Sequence, residues 1–204
     1  MTISDHRLRL LGRRLAVRPL EAEDFDDWRD VRLRNADWLL PWEPMRSPGQ
    51  PDVVNDRDSF IARCRMRDRE RQSGVGYGFG IEVENQIVGE INFNNVVRGA
   101  FQNAHVGYWI DRDQAGRGLV PEALVVLLRY GFEDLGLHRV QVAIIPRNDR
   151  SRRVVEKLGL RDEGLAEGYL EIGGVWEDHI RYAITAEEWT VHRDELLGTW
   201  VLPE

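Results

Sequence analysis

Gly116 and Gly118 flank Arg117 within Val106-Gly-Tyr-Trp-Ile-Asp-Arg-Asp-Gln-Ala-Gly-Arg-Gly-Leu-Val-Pro-Glu-Ala-Leu124. This segment reads as a strand, a glycine-containing loop and the first turn of a helix. A helix N-terminus leaves its leading amides unpaired and carries partial positive charge, so it attracts phosphate. The two glycines remove the side chains that would hold a pyrophosphate away from the backbone, and Arg117 adds a cation. A plain turn is the competing reading. Two nucleotide loops fail on detail: a dinucleotide fingerprint needs a third glycine where Pro121 stands, and a Walker A loop needs Gly-Lys-Ser/Thr, which the chain lacks.

The elements that must position this loop follow from periodicity. Leu15 and Val17 alternate with Arg14, Ala16 and Arg18 as a strand, and Glu21–Asn35 carries acids in its first turns and arginines in its last, as a helix does. Asp52–Gln72 predicts a second helix, after a Trp- and Pro-rich loop around Pro41-Trp42-Glu43-Pro44. Tyr77–Val83, Ile87–Val96 and Ala104–Ile110 form an antiparallel meander. Val120, Ala123, Leu124, Leu127, Leu128, Gly131, Phe132 and Leu135 then mark one helical face, with Pro121 in its first turn and Gly136 after its end. Arg139–Ile145 is a strand, Asn148 caps a helix that Gly159 stops, and Leu160–Ile172 and Val175–Ile184 meet at Gly173-Gly174. The order β α α β β β α β α β β is a mixed α/β layer fold, expected as one domain over residues 1–204.

Composition narrows the class. At 42% apolar residues the chain can build a real core, and no apolar run approaches the roughly 18 residues needed to span a bilayer. Met1–Gly12 shows no secretory signal, and Cys64 stands alone, so a soluble cytoplasmic protein is expected. The net charge of −7 argues against a dedicated nucleic-acid binder. Arg63, Arg65, Arg67, Arg69 and Arg71 form a basic run, but alternate spacing spreads charge around a helix, and a solvated helix is the expected reading over an RNA site. His6, His105, His138, His179 and His192 show no metal-ligand spacing, so no metal is expected.

The strand–loop–helix resembles the GNAT superfamily of acetyl-coenzyme A-dependent N-acetyltransferases, whose pyrophosphate loop is Q/R-x-x-G-x-G/A. Gly116 and Gly118 fill the glycine positions; Asp113 stands at the first, with Gln114 one place late. Arg147-Asn148-Asp149-Arg150-Ser151 and Glu156-Lys157-Leu158-Gly159-Leu160 resemble the family's second cofactor helix. Leu40-Pro41-Trp42-Glu43-Pro44, Gly107-Tyr108-Trp109-Ile110, Asn148-x-x-Ser151 and Trp176-x-Asp178-His179 are similar to the RimJ/RimL branch of ribosomal-protein N-terminal acetyltransferases. The resemblance covers about Leu15 to Ile184 and implies a GNAT fold: a mixed, mostly antiparallel sheet splayed at its middle strands, with helices on both faces.

What the resemblance implies is acetyl transfer from acetyl-coenzyme A to an amine by direct attack, without an acetyl-enzyme on Cys64. The backbone of Tyr108, Trp109 and Ile110 would hold pantetheine and the acetyl carbonyl. Gln114, Ala115, Gly116, Arg117, Gly118, Leu119 and Val120 would cradle the pyrophosphate. Asn148 would bond the pantetheine arm; Arg150, Arg152 and Arg153 lie where coenzyme A phosphates are expected. The family's usual tyrosine acid falls at Val155, and Ser151 is the RimL-type replacement, its competing role being a serine that satisfies helix amides. General-base candidates are Glu90 (alternatively solvent-exposed, opposite in facing to Ile87, Ile91 and Phe93), Glu167, Glu171 and Glu43, with Trp42, Glu43 and Tyr169 toward the substrate.

Without a strong base, an α-amine acceptor fits better than a lysine. Near pH 7 roughly a tenth of α-amines, but fewer than about one lysine in a thousand, are neutral. The expected partner is a protein or peptide N-terminus such as that of a ribosomal protein, with the enzyme a monomer or homodimer and no membrane partner. Two rivals stand. A closed acidic pocket near Glu43 and Glu171 would indicate a small-molecule amine acetyltransferase. Loss of the acid at Val155 would suit a non-catalytic acyl-coenzyme A-binding module.

Overall fold

The computed structural model describes residues 8–47 and 49–201; Met1–Arg7 with His6, Pro48 of the proline-rich loop and the last three residues lie outside them. Eight strands form one sheet: β1 (Leu10–Leu11), β2 (Ala16–Arg18), β3 (Tyr77–Val83), β4 (Gln86–Val97), β5 (Asn103–Ile110), β6 (Arg139–Ile144), β7 (Arg161–Ile172) and β8 (Val175–Thr185). Their spatial order is β1-β2-β3-β4-β5-β6-β8-β7. Among the described strands only β5 and β6 run parallel, and the α4 crossover that parallel pairing requires joins them. The helices are α1 (Phe25–Arg34), α2 (Ala36–Leu39), α3 (Arg57–Ser73), α4 (Leu119–Arg129), α5 (Asp149–Lys157) and α6 (Ala186–Trp200). The mixed, mostly antiparallel sheet is as expected.

The predicted meander is present. Glu84 and Asn85 both take positive φ (51° and 63°), the geometry that turns β3 into β4. α4 is apolar all round because it is buried all round. Leu119–Leu128 are covered between the sheet and α6, and Ala123, Leu124, Val125, Val126, Leu127 and Leu128 are fully inaccessible. On the sheet's other face Phe25, Trp28, Phe60, Cys64 and Ile87 form a second, smaller core under α1 and α3.

Four expectations change. The single N-terminal strand is a β1–β2 hairpin, Leu10 pairing with Val17. The Glu21–Asn35 helix opens as a 3-10 turn, Ala22–Asp24, before α1. α3 starts five residues later than Asp52, where the Asp56 side chain accepts from the amides of Asp58 and Ser59 at 3.3 and 3.1 Å. α6 was not foreseen, although Thr185 and Glu188 form a capping box, a Ser/Thr-x-x-Glu signal readable in the sequence.

The arginine run is not a solvated face. Arg63, Arg67 and Arg71 share the four-residue helical repeat and turn inward, to Glu90, to Glu70 and Asn94, and to Asp68 respectively. Arg65 and Arg69 alone of the five are exposed. The alternate spacing hid a buried stripe.

Candidate active site

β5 and β6 pair only from Asn103–His105 against Arg139–Gln141, although β5 continues to Ile110 and β6 to Ile144. Beyond His105 they part, and the amides and carbonyls of Tyr108–Ile110 facing β6 are left without a strand partner on that side. At the exit of β5, Asp111 is buried and ion-paired to Arg34, and it accepts from the Asn35 amide at 2.9 Å. Burial would raise the Asp111 carboxyl, but Arg34 and Asn35 more than offset it and hold it below its ordinary value.

The glycine loop follows. Gly116 and Gly118 have φ of 79° and 80°, the left-handed region where L side chains are strained. A Cβ at Gly116 would meet nothing within 4 Å, so its side of the loop is open; one at Gly118 would press on Trp200 and Arg14 at 3.1 and 3.3 Å. Gly118 is the N-cap of α4 and no side chain caps that helix, which leaves its first amides for an anion. The Ala115 amide closes the turn onto the Arg112 carbonyl at 3.1 Å, which takes it out of the set free to meet an anion. Gln114 accepts from Arg117 at 3.2 Å. Arg14 braces the loop from behind, donating to the Arg117 carbonyl at 2.7 Å and to buried Glu122 at 2.8 Å. This open left-handed loop on an uncapped helix fits a pyrophosphate.

Across the splay, Asn148 caps α5 by accepting from the Ser151 amide at 3.2 Å. The Ser151 hydroxyl lies 2.8 Å from the Tyr108 hydroxyl, which bridges β5 to α5. Serine therefore satisfies a side chain here, not a helix amide. Burial pushes the Tyr108 phenol up, so it stays protonated as a donor. Val155 is fully buried and offers no hydroxyl. Arg150 stacks on Trp38 at 4.4 Å, and Arg112 flanks the same ring at 5.7 Å, while Arg153 is exposed. The Trp38 indole donates to the Ile110 carbonyl at 3.2 Å, so α2 straps the end of β5.

Residues 14–161 match the acetyltransferase (GNAT) domain family. The chain belongs to the GNAT acetyltransferase family. It is 36% identical over 191 residues to the [ribosomal protein uS5]-alanine N-acetyltransferase of Escherichia coli (strain K12), spanning 92% of this chain and 95% of that one. Among solved structures it superposes on Mycobacterium smegmatis RimJ in complex with CoA-disulfide with a TM-score of 0.82, 34% identity, and coverage of 93% and 91%. The ribosomal-protein-S5-alanine acetyltransferase of Vibrio fischeri gives a TM-score of 0.80 and 30% identity over 89% of this chain and 98% of that one.

In this GNAT acetyltransferase most of the candidate carboxylates are engaged. Glu90 is 3% exposed, not solvent-exposed, because α1 and α3 cover it. It accepts from the Trp28 indole at 2.6 Å and from Arg63 at 2.5 Å. Burial favours its neutral form, but the charge and hydrogen bond of Arg63, with Trp28, leave its carboxyl below the usual range. That makes Glu90 a weak base and a structural anchor. Glu43 is gripped by Arg32 through two bonds of 2.5 and 2.7 Å, and its carbonyl accepts from the Gly173 amide at 3.1 Å. Trp42 lies under Arg147 at 5.7 Å, and Arg147 also holds Glu177. Glu167 and Glu171 are exposed on β7, so Glu43 and Glu171 do not form a closed acidic pocket. Tyr169 packs edge-on to His179 at 5.9 Å.

The described residues hold no cluster of metal-ligating side chains, and no helix is long and apolar enough to cross a membrane. Cys64 is a buried residue of α3, and desolvation raises its thiol to about 11, far from a nucleophile's range. Cys64→Ala is therefore expected to keep acetyl-transfer turnover within about threefold. A loss above about a hundredfold in a folded variant would implicate an acetyl-enzyme.

Sequence reasoning missed the Arg32–Glu43 clamp, the Trp38 strap and the Tyr108–Ser151 pair. The first pairs an arginine that reads as an ordinary helix-surface residue with a loop carboxylate, and the second bonds an indole to a carbonyl 72 residues away in sequence, which no local pattern encodes. For the third, the signal was available: a tyrosine on β5 facing a helix whose usual tyrosine is absent.

Proposed function

We propose that this acetyltransferase moves the acetyl group of acetyl-coenzyme A onto the N-terminal α-amine of a protein, a ribosomal protein first, by direct attack in the cytoplasm. The observation that carries the α-amine is the pairing of Glu43, Glu90 and Glu177 with Arg32, Arg63 and Arg147. Carboxylates so held cannot strip a proton from a lysine, whereas an α-amine with a pKa of about 7.7–8.0 needs little help. The ribosomal acceptor is supported by the full-length likeness to the uS5-alanine N-acetyltransferase.

The cosubstrate supplies an activated thioester. The amides from Gly116 to Val120 would hold its pyrophosphate with Arg117 and Arg153 nearby, and the Asn148 Nδ2 and the Tyr108–Ile110 backbone would hold pantetheine. A backbone amide at Trp109 or Ile110 would stabilise the oxyanion, a donor type that contributes about 3 kcal/mol. Ser151 would protonate the departing thiolate, and Tyr108 would orient it by donating to its oxygen.

Ser151→Ala is expected to lower kcat about a hundredfold with little change in KM for acetyl-coenzyme A. An unchanged kcat would remove Ser151 from the chemistry. The reading itself is tested by incubating the enzyme and acetyl-coenzyme A with ribosomal proteins from cells lacking N-terminal acetylation. One acetyl group at a free N-terminus is expected; acetyl only on lysines would overturn it.

A further inference from the structure

His179 on β8 is 3% exposed and precedes Ile180, which pairs with Ile144 at the last rung of β6. Ile180, Tyr182 and Ile144 turn to the core that includes Tyr108, so strand alternation turns His179 to the opposite face, the face of Trp109. Continuing the parallel register from Asn103 opposite Arg139 brings Trp109 level with residue 145, the position beside His179. The imidazole thus lies on the same face of the sheet as Trp109, on the β6–β8 side of the splay. Ser151 lies on the other side of the sheet, so an amine attacking opposite the thiolate acid approaches on the His179 face.

The ring is set for one task. Its Nδ1 lies 2.9 Å from the Glu177 carbonyl oxygen, which can only accept, so Nδ1 carries the hydrogen and the neutral ring's lone pair is on Nε2. No described residue bonds Nε2. The edge contact with Tyr169 on β7 holds the ring plane. The charged groups on the elements around it are Glu177 and Arg181 on β8, the exposed Glu167 and Glu171 on β7, Arg147 beyond β6, and Glu43, whose carbonyl the β7–β8 turn binds. Glu177 is bound by Arg147 at 2.7 Å and Glu43 by Arg32. The imidazole is the buried lone pair left on that face.

We propose that His179 is the general base of the transfer, on the reading of this chain as an N-terminal acetyltransferase. As the amine nitrogen forms its bond to the acetyl carbon, it sheds one proton to Nε2, directly or through one water. The carbon–sulfur bond then breaks, the thiolate takes a proton from Ser151, the imidazolium gives its proton to solvent, and Ser151 regains one from solvent. The sum is amine plus thioester to amide plus thiol.

The test uses a free-N-terminus peptide that the parent enzyme acetylates. His179→Gln is expected to lower kcat about a hundredfold at pH 7, with KM for acetyl-coenzyme A unchanged. The deficit shrinks toward pH 9 as the amine deprotonates unaided. Added imidazole should partly restore His179→Ala. Activity within threefold of the parent at pH 7, or a loss equal at every pH, overturns the assignment while the acetyltransferase reading stands. If the parent acetylates no peptide, both fall. Should the variants fail to fold, histidine nitrogen NMR of the parent decides: an Nδ1-protonated tautomer is required, and an Nε2-protonated one contradicts the role.

Discussion

Glu90→Ala is expected to lower the folding free energy by about 3–5 kcal/mol, because the Arg63 guanidinium would stay buried without its counter-charge. The side chains of Arg63 and Glu90 are 18% and 4% exposed, so water cannot take over. The Trp28 indole would lose its acceptor as well. Urea unfolding measures the loss. Replacing the pair together, Arg63→Met with Glu90→Leu, is expected to recover most of it, since two apolar groups need no partner. The pH dependence has a definite sign. The folded carboxyl lies below its unfolded value of about 4.3, so the stabilisation is complete above that value and fades as pH falls through the folded pKa. The parent should therefore lose stability steeply below about pH 4, and Glu90→Ala less so. If Glu90→Ala melts as the parent does but has lost all turnover, Glu90 is catalytic and its anchoring role is wrong.

Gly89→Val is the second large effect, expected at about 1–3 kcal/mol in stability and at least a hundredfold in turnover. Gly89 sits in β4 opposite Ile110. A Cβ there would overlap the Trp109 carbonyl oxygen and come within 3.1 Å of the Ile110 Cα, and neither backbone atom can swing away. β4 and β5 must part, and Tyr108, one residue from Trp109, would leave Ser151. Turnover is read well below the variant's melting temperature, so that unfolding does not mimic it. A folded Gly89→Val with parental kcat would show that the β5 backbone at Trp109 and Ile110 does not position the reacting group.

Local patterns announced most of this fold. The β3–β5 meander, α4 and the Asn148 cap each rest on neighbouring residues and formed where the pattern put them, except that the helix after Arg129 widens into a π-helical turn, Tyr130–Asp134. The glycine loop was legible because two left-handed positions leave a glycine signature. The site's other half was not. Glu90 looked like a candidate base on β4 because its masking partner, Arg63, comes from α3 and was hidden in an apparently solvated run. Glu43 looked free for the same reason, its clamp Arg32 lying on α1. Long-range ion pairs decide which carboxylates retain basicity, and no periodicity encodes them. His179, with no metal-ligand spacing to flag it, gained meaning only when β8 placed it on the Trp109 face of the sheet.

The central claim is acetyl transfer to an α-amine, and thiol release from acetyl-coenzyme A measures it most directly. Three acceptors suffice: a short peptide with a free N-terminus and no lysine, the same peptide N-terminally blocked with one lysine added, and a polyamine. Release with the first at a kcat/KM at least a hundredfold above the other two is the expected result. Release chiefly with the polyamine, or with the blocked lysine peptide, would contradict it.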